Sequence, residues 1–465
     1  MSMSKPSILY RLQGSVNNYE WGTKGHDSLV AQLGPNAVGP SFKVEENEPY
    51  AELWMGTHPN GPARLFPPNL QLLQDVLKED PKHHVGEPLL NKFKDIQLPY
   101  LFKVLSIARA LPLQAHPSKP LAKKLNQKDP KQFVDSNHKP EIAVAISPNG
   151  AVEYFPDLPL YARANTHTAA EDVSFTGFVG FQPLPHIAAT LSNTPELQDV
   201  IGKPDVISKF VQTPTKDGLK AIYCALLERG ASDKEHVAAQ IKAYLERAEK
   251  DKQGDKDEDT TLRLRGFAKL ARKVNAEYEG DVGVFATVFF MNFVQLKQGE
   301  ALFIPADDVH AYLEGDIIEC MATSDNVLNA AFPPPKPSAE DDAKPAVDQL
   351  EFFERTLTWE AAPPTHWRLP ATPFQKHTTM YQPSLEEFVV LHTALDKVDL
   401  TETLGRLGPT TGIVLEGKVE VTANGAQGQE RSVLEKGAIV FASAGSEVVV
   451  RAMEPSSIWW ATCLL

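Results

Sequence analysis

The sequence predicts a mainly β protein with an α-helical insertion, and three observations predict it. Alternating apolar and polar residues recur in "KPEIAVAI", "ATVFFMNFVQL", "TTGIVLEGKVEVTA" and "SEVVVRAM", the period-2 pattern of antiparallel strands with a buried face. Proline is abundant, at 37 residues, and concentrated in the first 190 and last 140 positions, where it punctuates short strands. The stretch 186–278 instead repeats apolar residues at i, i+3, i+4 and i+7, the signature of amphipathic helices.

A chain of 465 residues suggests two to four domains. Its 42% hydrophobic content and mean hydropathy of -0.27 allow sizeable cores in a soluble protein. No apolar run is long enough to cross a bilayer. The opening "MSMSKPSILYRLQGSV" has no apolar region followed by a cleavage site, so a cytoplasmic location is expected. A net charge of -14 repels phosphate backbones and argues against nucleic-acid binding, while leaving room for a local basic pocket. Cys224, Cys320 and Cys463 are too few and scattered for a disulfide framework or thiolate cluster, so a metal site would draw on histidine, carboxylate and amide ligands.

In chain order, the first β unit is expected over 1–185, resuming at 279–335 after the helical insertion at 186–278. Within the insertion, "ELQDVIGKPDVISKFVQT", "GLKAIYCALLERG", "DKEHVAAQIKAYLERAEKD" and "TLRLRGFAKLARKVNAEYEG" read as helices, with Ser232 as an N-cap. "KDKQGDKDEDTT", 250–261, reads as a solvated charged loop. The Pro-rich, charged run around 336–349 reads as a linker or long surface loop. β patterning returns over 350–465. There is no short-period repeat, but 295–310 and 432–448 share a Gly-led β segment, as two related barrels would.

The chemistry concentrates around "KQGEALFIPADDVHAY", with Gly299 before a strand, then Pro305 and His310. This is similar to the second motif of cupin barrels, in which a turn delivers a histidine to the interior; Asp307 stands where cupins often carry glycine. The plainer reading is a hydrogen-bonded core histidine. Upstream, Gln114 and His116 in "LQAHPSK" are two apart and share a strand face. Glu141 opens the strand of "EIAVAI". Gln114, His116, Glu141 and His310 form an N/O ligand set suited to Zn²⁺ or another borderline divalent ion, with a position left for water or substrate. The alternative for Gln114 is a simple hydrogen bond to His116.

"YAELWMGTHPNGP", "PYLFKVLSI", "LQAHPSK", "NHKPE" and "FIPADDVHAYLEGDIIECMATSDN" together resemble the type I phosphomannose isomerases, and the similarity runs from "LQGSVNNYEWG" to "EEFVVLHTAL". The resemblance implies two cupin-like jelly-roll barrels, the first catalytic, plus an α-helical domain. It also implies one Zn²⁺ per chain on Gln114, His116, Glu141 and His310, and a monomer. The implied reaction interconverts mannose 6-phosphate and fructose 6-phosphate and feeds GDP-mannose synthesis.

Such a reaction moves one proton between C1 and C2 and another between their oxygens, so it needs a base, an electrophile and a phosphate anchor. Glu319 falls on a family carboxylate and is offered as acid/base, or as an orienter of another ligand. Lys139 is the best remaining cation, or else a surface lysine in a turn. Tyr312 shares a face with His310 and lines the pocket or simply packs. Asp325 is an orienter of a ligand or part of a turn. Trp21, Trp54 and His58 read as pocket walls or core, and Lys103 as a buried or pocket cation. The C-terminal unit has no histidine after "KGAIVFASAGSE", so a metal-free barrel serving packing is expected.

The chain departs from the family on the substrate side. Where the family usually reads "SDNVVRAGFTPK", this chain reads "SDNVLNAAFPPPK". The catalytic arginine is thus Asn329, the glycine Ala331, and the lysine position Pro335, with Lys336 one later. The serine of "LSIQAHP" is Pro112. Asparagine lacks the charge and donor fork of arginine, and proline offers a phosphate neither hydroxyl nor N–H. Losing a charged contact of this kind costs about 10²–10³-fold in rate. Lys336, Lys119 and Lys139 are the cations available to compensate. Two classes follow: an isomerase, weakened or shifted in substrate, and a non-catalytic metal-binding paralogue.

Overall fold

The computed structural model describes residues 6–156, 158, 169–250, 258–333, 349–426 and 428–465. Among them, strands form three antiparallel sheets of eleven, eight and four strands. Strand alternation explains how these stack. In strand Glu141–Ala145, Ile142 and Val144 face outward while Glu141, Ala143 and Ala145 face inward. Strand Tyr100–Ile107 turns Phe102 and Val104 outward, and strand His310–Ala322 does the same with Ile318 and Cys320. These outward rows pack on Ile413, Ile439, Phe441, Trp459 and Ala461 of the eight-stranded sheet. The opposite face of that sheet, with Val414, Val440, Ile458 and Trp460, packs on Val419, Val421, Val448 and Val450 of the four-stranded sheet.

The other wall of the first β unit is built by Leu113–Ala115, Phe175–Phe181, Leu328–Ala331 and the start of His310–Ala322. Leu113, Ala115, Ala311 and Leu313 point out of it and into the helical core. The intervening residues Gln114, His310 and Tyr312 therefore point inward. One face of the wall buries apolar side chains against helices, and the other carries the polar residues that the motifs singled out.

Helices run from Leu184–Ser192 to Gly283–Val288, beyond the expected 186–278 at both ends. In "ATVFFMNFVQL" only Met291–Leu296 is strand, while "ATV" closes a helix. That helix is buried on every side, so its apolar run carries no period to read. Ser232 is not an N-cap: the helix Lys216–Ser232 runs through it, and its hydroxyl donates to Glu228 O at 2.8 Å. Asp233 instead accepts from His236 N at 3.2 Å. Of the expected loop 250–261, Lys250 ends one helix and Glu258 opens the next, with 251–257 outside the described residues. The linker over 336–349 also lies outside them except for Gln349, which starts the helix Gln349–Thr356.

The sheets do not follow the expected boundaries along the chain. Leu9–Gln13 pairs with Ile439–Ala442 in the eight-stranded sheet, although it lies in the first β unit by sequence. Conversely, Phe353 and Leu357 join the helical core, and Arg368–Leu369 pairs with Ala301–Leu302. Residues 350–369 thus pack on the first unit, and the C-terminal sandwich proper begins after them. Pairing across a long sequence separation leaves no local trace in composition.

Candidate metal centre and active site

The site sits on the inward rows. Cross-strand register places Gln114 beside both His310 and Asn329, and Glu319 beside both Lys103 and Ala143. His116 follows its strand directly, and Glu141 begins the strand opposite. The side chains of His116, Glu141 and His310 are essentially fully buried.

Their ligand atoms converge. His116 Nε2 lies 3.2 Å from Glu141 Oε2, and His310 Nε2 lies 3.2 Å from Glu141 Oε1. One ligand atom from each residue falls within 4.8 Å of the others. The other ring nitrogens face backbone carbonyls: His116 Nδ1 meets Asn326 O at 2.9 Å, and His310 Nδ1 meets Asp308 O at 3.4 Å. With Nδ1–H donating there, each Nε2 turns a lone pair to the centre. His310 Nε2 and Glu141 Oε2 make no hydrogen bond, although both are buried. Buried acceptors left without partners are expensive, and a shared divalent cation resolves the cost. The residues fit a metal.

Electrostatics agree. Burial, with Lys139 adding to it, pushes His116 down to about 3, so the ring is neutral at ordinary pH. Burial pushes the Glu141 carboxyl up, but Lys139, His310 and His116 together outweigh it and hold it well below the usual range. Lys139 Nζ stands 3.4 Å from Glu141 Oε2 and 3.3 Å from His116 Nε2, so it is buried among the ligands and not on a surface turn. Tyr312 OH donates to Glu141 Oε1 at 2.7 Å. Gln114 faces the same interior from beside His310.

A second charged group lies on the neighbouring rows. Lys103 Nζ is 3.1 Å from Glu319 and 3.3 Å from Glu52, and it stands 4.4 Å over the Trp54 ring. Trp54 Nε1 donates to Glu52. Burial pushes Glu319 up to about 7, with Lys103 opposing and Glu141 adding. Burial pulls Lys103 down, but Glu319 and Glu52 reverse this and keep it charged.

The remaining candidates scatter. Trp21 is core, packed with Leu105, Ile107 and Tyr312. His58 Nε2 is 3.6 Å from Asp135, beside a cavity of about 540 Å³ that Lys119 also lines. Asp325 accepts from Asn60 Nδ2 at 2.8 Å. Its neighbour Asn326 does the orienting: the Asn326 amide donates to Asp135 Oδ1 at 2.9 Å and its carbonyl meets His116. Asn329 donates its backbone N–H to Gln349, and its Oδ1 is buried without a hydrogen-bond partner. Pro112 and Ala331 lie on the same wall, while Pro335 and Lys336 lie outside the described residues. Asn326, Glu52, Asp307 and Asp308 were not singled out as site residues from the sequence. Asn326 sits in the quoted "SDN" and Glu52 in the quoted "YAELW", but nothing local marks which atom of a motif will touch a ligand.

Antiparallel sheets around a buried group of two histidines and one glutamate define a metal-dependent class of protein. Within that class, residues 9–157 match the model of the type I phosphomannose isomerase catalytic domain. The chain is 37% identical to mannose-6-phosphate isomerase of Cryptococcus neoformans, over 95% of this chain and 96% of that one. It is 34% identical to mannose-6-phosphate isomerase of Candida albicans, over 96% and 95%. A variant of phosphomannose isomerase from Salmonella typhimurium superposes with a TM-score of 0.72, at 24% identity over 98% of this chain and 100% of that one. A mannose 6-phosphate isomerase crystallised with zinc and yttrium gives 0.72 at 23% identity, over 99% and 100%. The chain belongs to the type I phosphomannose isomerase family.

Proposed function

We propose that this chain is a zinc-dependent aldose–ketose isomerase interconverting mannose 6-phosphate and fructose 6-phosphate, and so feeding GDP-mannose synthesis. The observation that carries the reading is the convergence of His116, Glu141 and His310 in a chain 37% identical to a mannose-6-phosphate isomerase along nearly its full length. Both β units are read as cupin-like barrels. The protein is read as a monomer in the cytoplasm.

Gln114, His116, Glu141 and His310 would hold the zinc. Bound there, it would polarise the sugar oxygens at C1 and C2. The protein's own residues do the rest. Glu319, held near 7, carries the proton between C1 and C2, since a base works best close to the ambient pH. Lys103 holds the Glu319 carboxylate in place. Tyr312 fixes the rotamer of Glu141 through its hydroxyl. Lys139 offers a cation to charge developing on substrate oxygen. Asn329, on the inward row beside Gln114, is read as a contact for the phosphate, a role the sequence also offers to Lys336.

Asn329 supports a second reading, a metal-binding paralogue with little or no isomerase activity, because a neutral amide with an unpartnered Oδ1 stands on the row shared with Gln114 and His310. Steady-state isomerisation of mannose 6-phosphate by the zinc-loaded protein, beside Asn329→Arg, decides between them. Turnover by the native chain establishes the isomerase. No turnover with zinc bound, restored by Asn329→Arg, establishes the paralogue.

A further inference from the structure

The turn Asp307–Asp308 makes more bonds than a turn needs. Asp307 adopts φ 70°, a conformation disfavoured for a residue with a side chain. Its N–H donates to His116 O at 2.7 Å, and its Oδ1 accepts from Ser118 N at 2.6 Å. Its carbonyl accepts from Thr358 N at 3.1 Å. Asp308 is buried, and both its carboxylate oxygens are used: Oδ1 accepts from Thr358 Oγ1 at 2.6 Å and Oδ2 from Trp367 Nε1 at 2.9 Å. The carbonyl of Asp308 is the one facing His310 Nδ1. Two adjacent residues therefore touch both histidines of the metal group and tie them to a distant strap, Thr358 to Trp367. The strap has a prepared seat: Gly180 is at φ 48°, and a Cβ there would lie 1.9 Å from Trp367 Cζ2.

We propose that Asp307 and Asp308 are positioning residues for His116 and His310, anchored by Thr358 and Trp367, so that metal retention depends on an indole N–H that touches no ligand. This rests on the reading of His116, Glu141 and His310 as a metal centre. The physical reason is orientation. A ligating imidazole is aimed by the partner of its other nitrogen, and losing such support costs about 10–100-fold in metal affinity. For His310 that partner is the Asp308 carbonyl, fixed only while the Asp308 carboxylate is held at both oxygens; for His116, whose ring faces Asn326 O, Asp307 holds the backbone carbonyl.

The test uses full-length protein and four variants: Trp367→Phe, which keeps the ring and loses the donor; Thr358→Val; Asp308→Asn; and Trp460→Phe as control. Trp460 Nε1 donates to Thr393 in the C-terminal sandwich, so its loss is matched in kind but remote. Zinc release to a chelator and the visible absorption of the cobalt-substituted protein are measured, with melting temperature alongside. Expected are zinc release about 10–100-fold faster and an altered cobalt spectrum in Trp367→Phe, Thr358→Val and Asp308→Asn, and neither change in Trp460→Phe. Unchanged release and spectrum with only a lowered melting temperature would make the turn merely structural and overturn the proposal. A native protein that takes up neither zinc nor cobalt would instead overturn the metal centre on which it rests.

Discussion

The two β units enclose space in opposite ways. Between the eight- and four-stranded sheets the core is mainly apolar and uncharged among the residues in contact there, Val414, Val421, Val450, Ile458 and Trp460, with the Trp460 indole N–H donating to buried Thr393. Between the walls of the first unit, the inward rows carry Lys103, Gln114, Glu141, His310, Tyr312 and Glu319, all nearly or fully buried. Strand alternation is the same in both, so the difference lies in which residue types occupy the inward register. An apolar interior contributes transfer energy and close packing. A charged one survives only if each group is paired, and pairing in low dielectric perturbs ionisation. The first unit thus gives up packing for chemistry, while the second packs Trp459 and Phe441 against the outer face of the reactive sheet and braces it.

The sharpest way to break this contrast is Glu141→Gln. It removes the one anion among the ligands, and isomerase activity should fall at least about 10²–10³-fold, read by coupled assay, with little change in the C-terminal sandwich. Trp460→Ala should do the reverse. Excising a fully buried indole costs about 3–5 kcal/mol, read by denaturant unfolding, while the protein that remains folded keeps its metal. Lys103→Met leaves Glu52 and Glu319 buried without their shared cation. That costs about 3–5 kcal/mol and moves the acid limb of the pH–rate profile upward, because Lys103 opposes the rise of Glu319.

The smallest expected effect is an acid weakness on the eight-stranded sheet. Burial pushes His392, stacked on Trp459 at 4.2 Å, down to about 4. Burial, aided by His83, does the same to His84, whose Nδ1 is 2.9 Å from Ser443 Oγ. The unfolded chain protonates these rings near about 6.5, whereas the folded chain does not until about 4. Their contribution to stability is therefore present above about 6.5 and falls as the pH drops towards 4. Denaturant midpoints between these limits should decline, and the decline should flatten in His392→Phe.

What the sequence made legible divides along the same line. Of the four ligands expected from the sequence, His116, Glu141 and His310 come together; Glu141 and His310 sit at strand starts, and His116 lies just past the strand that carries Gln114. The helices from Pro195 to Glu277 were readable from their apolar stripe, apart from caps such as Asp233. Contacts made by long-range pairing were not readable. Nothing near Leu9 announces Ala442 as its partner, and nothing in "PADDVH" announces Trp367 as the donor to Asp308. Lys139 read equally well as a surface lysine, because its burial depends on strands far away in the chain.

The most direct test of the contrast between a reactive and a filled unit is zinc stoichiometry in purified full-length protein, measured by mass spectrometry for the native chain and for Glu141→Gln. One zinc per native chain, lost in Glu141→Gln, places the metal in the first unit on the residues described. A native chain without zinc, or zinc retained in full by Glu141→Gln, would contradict it.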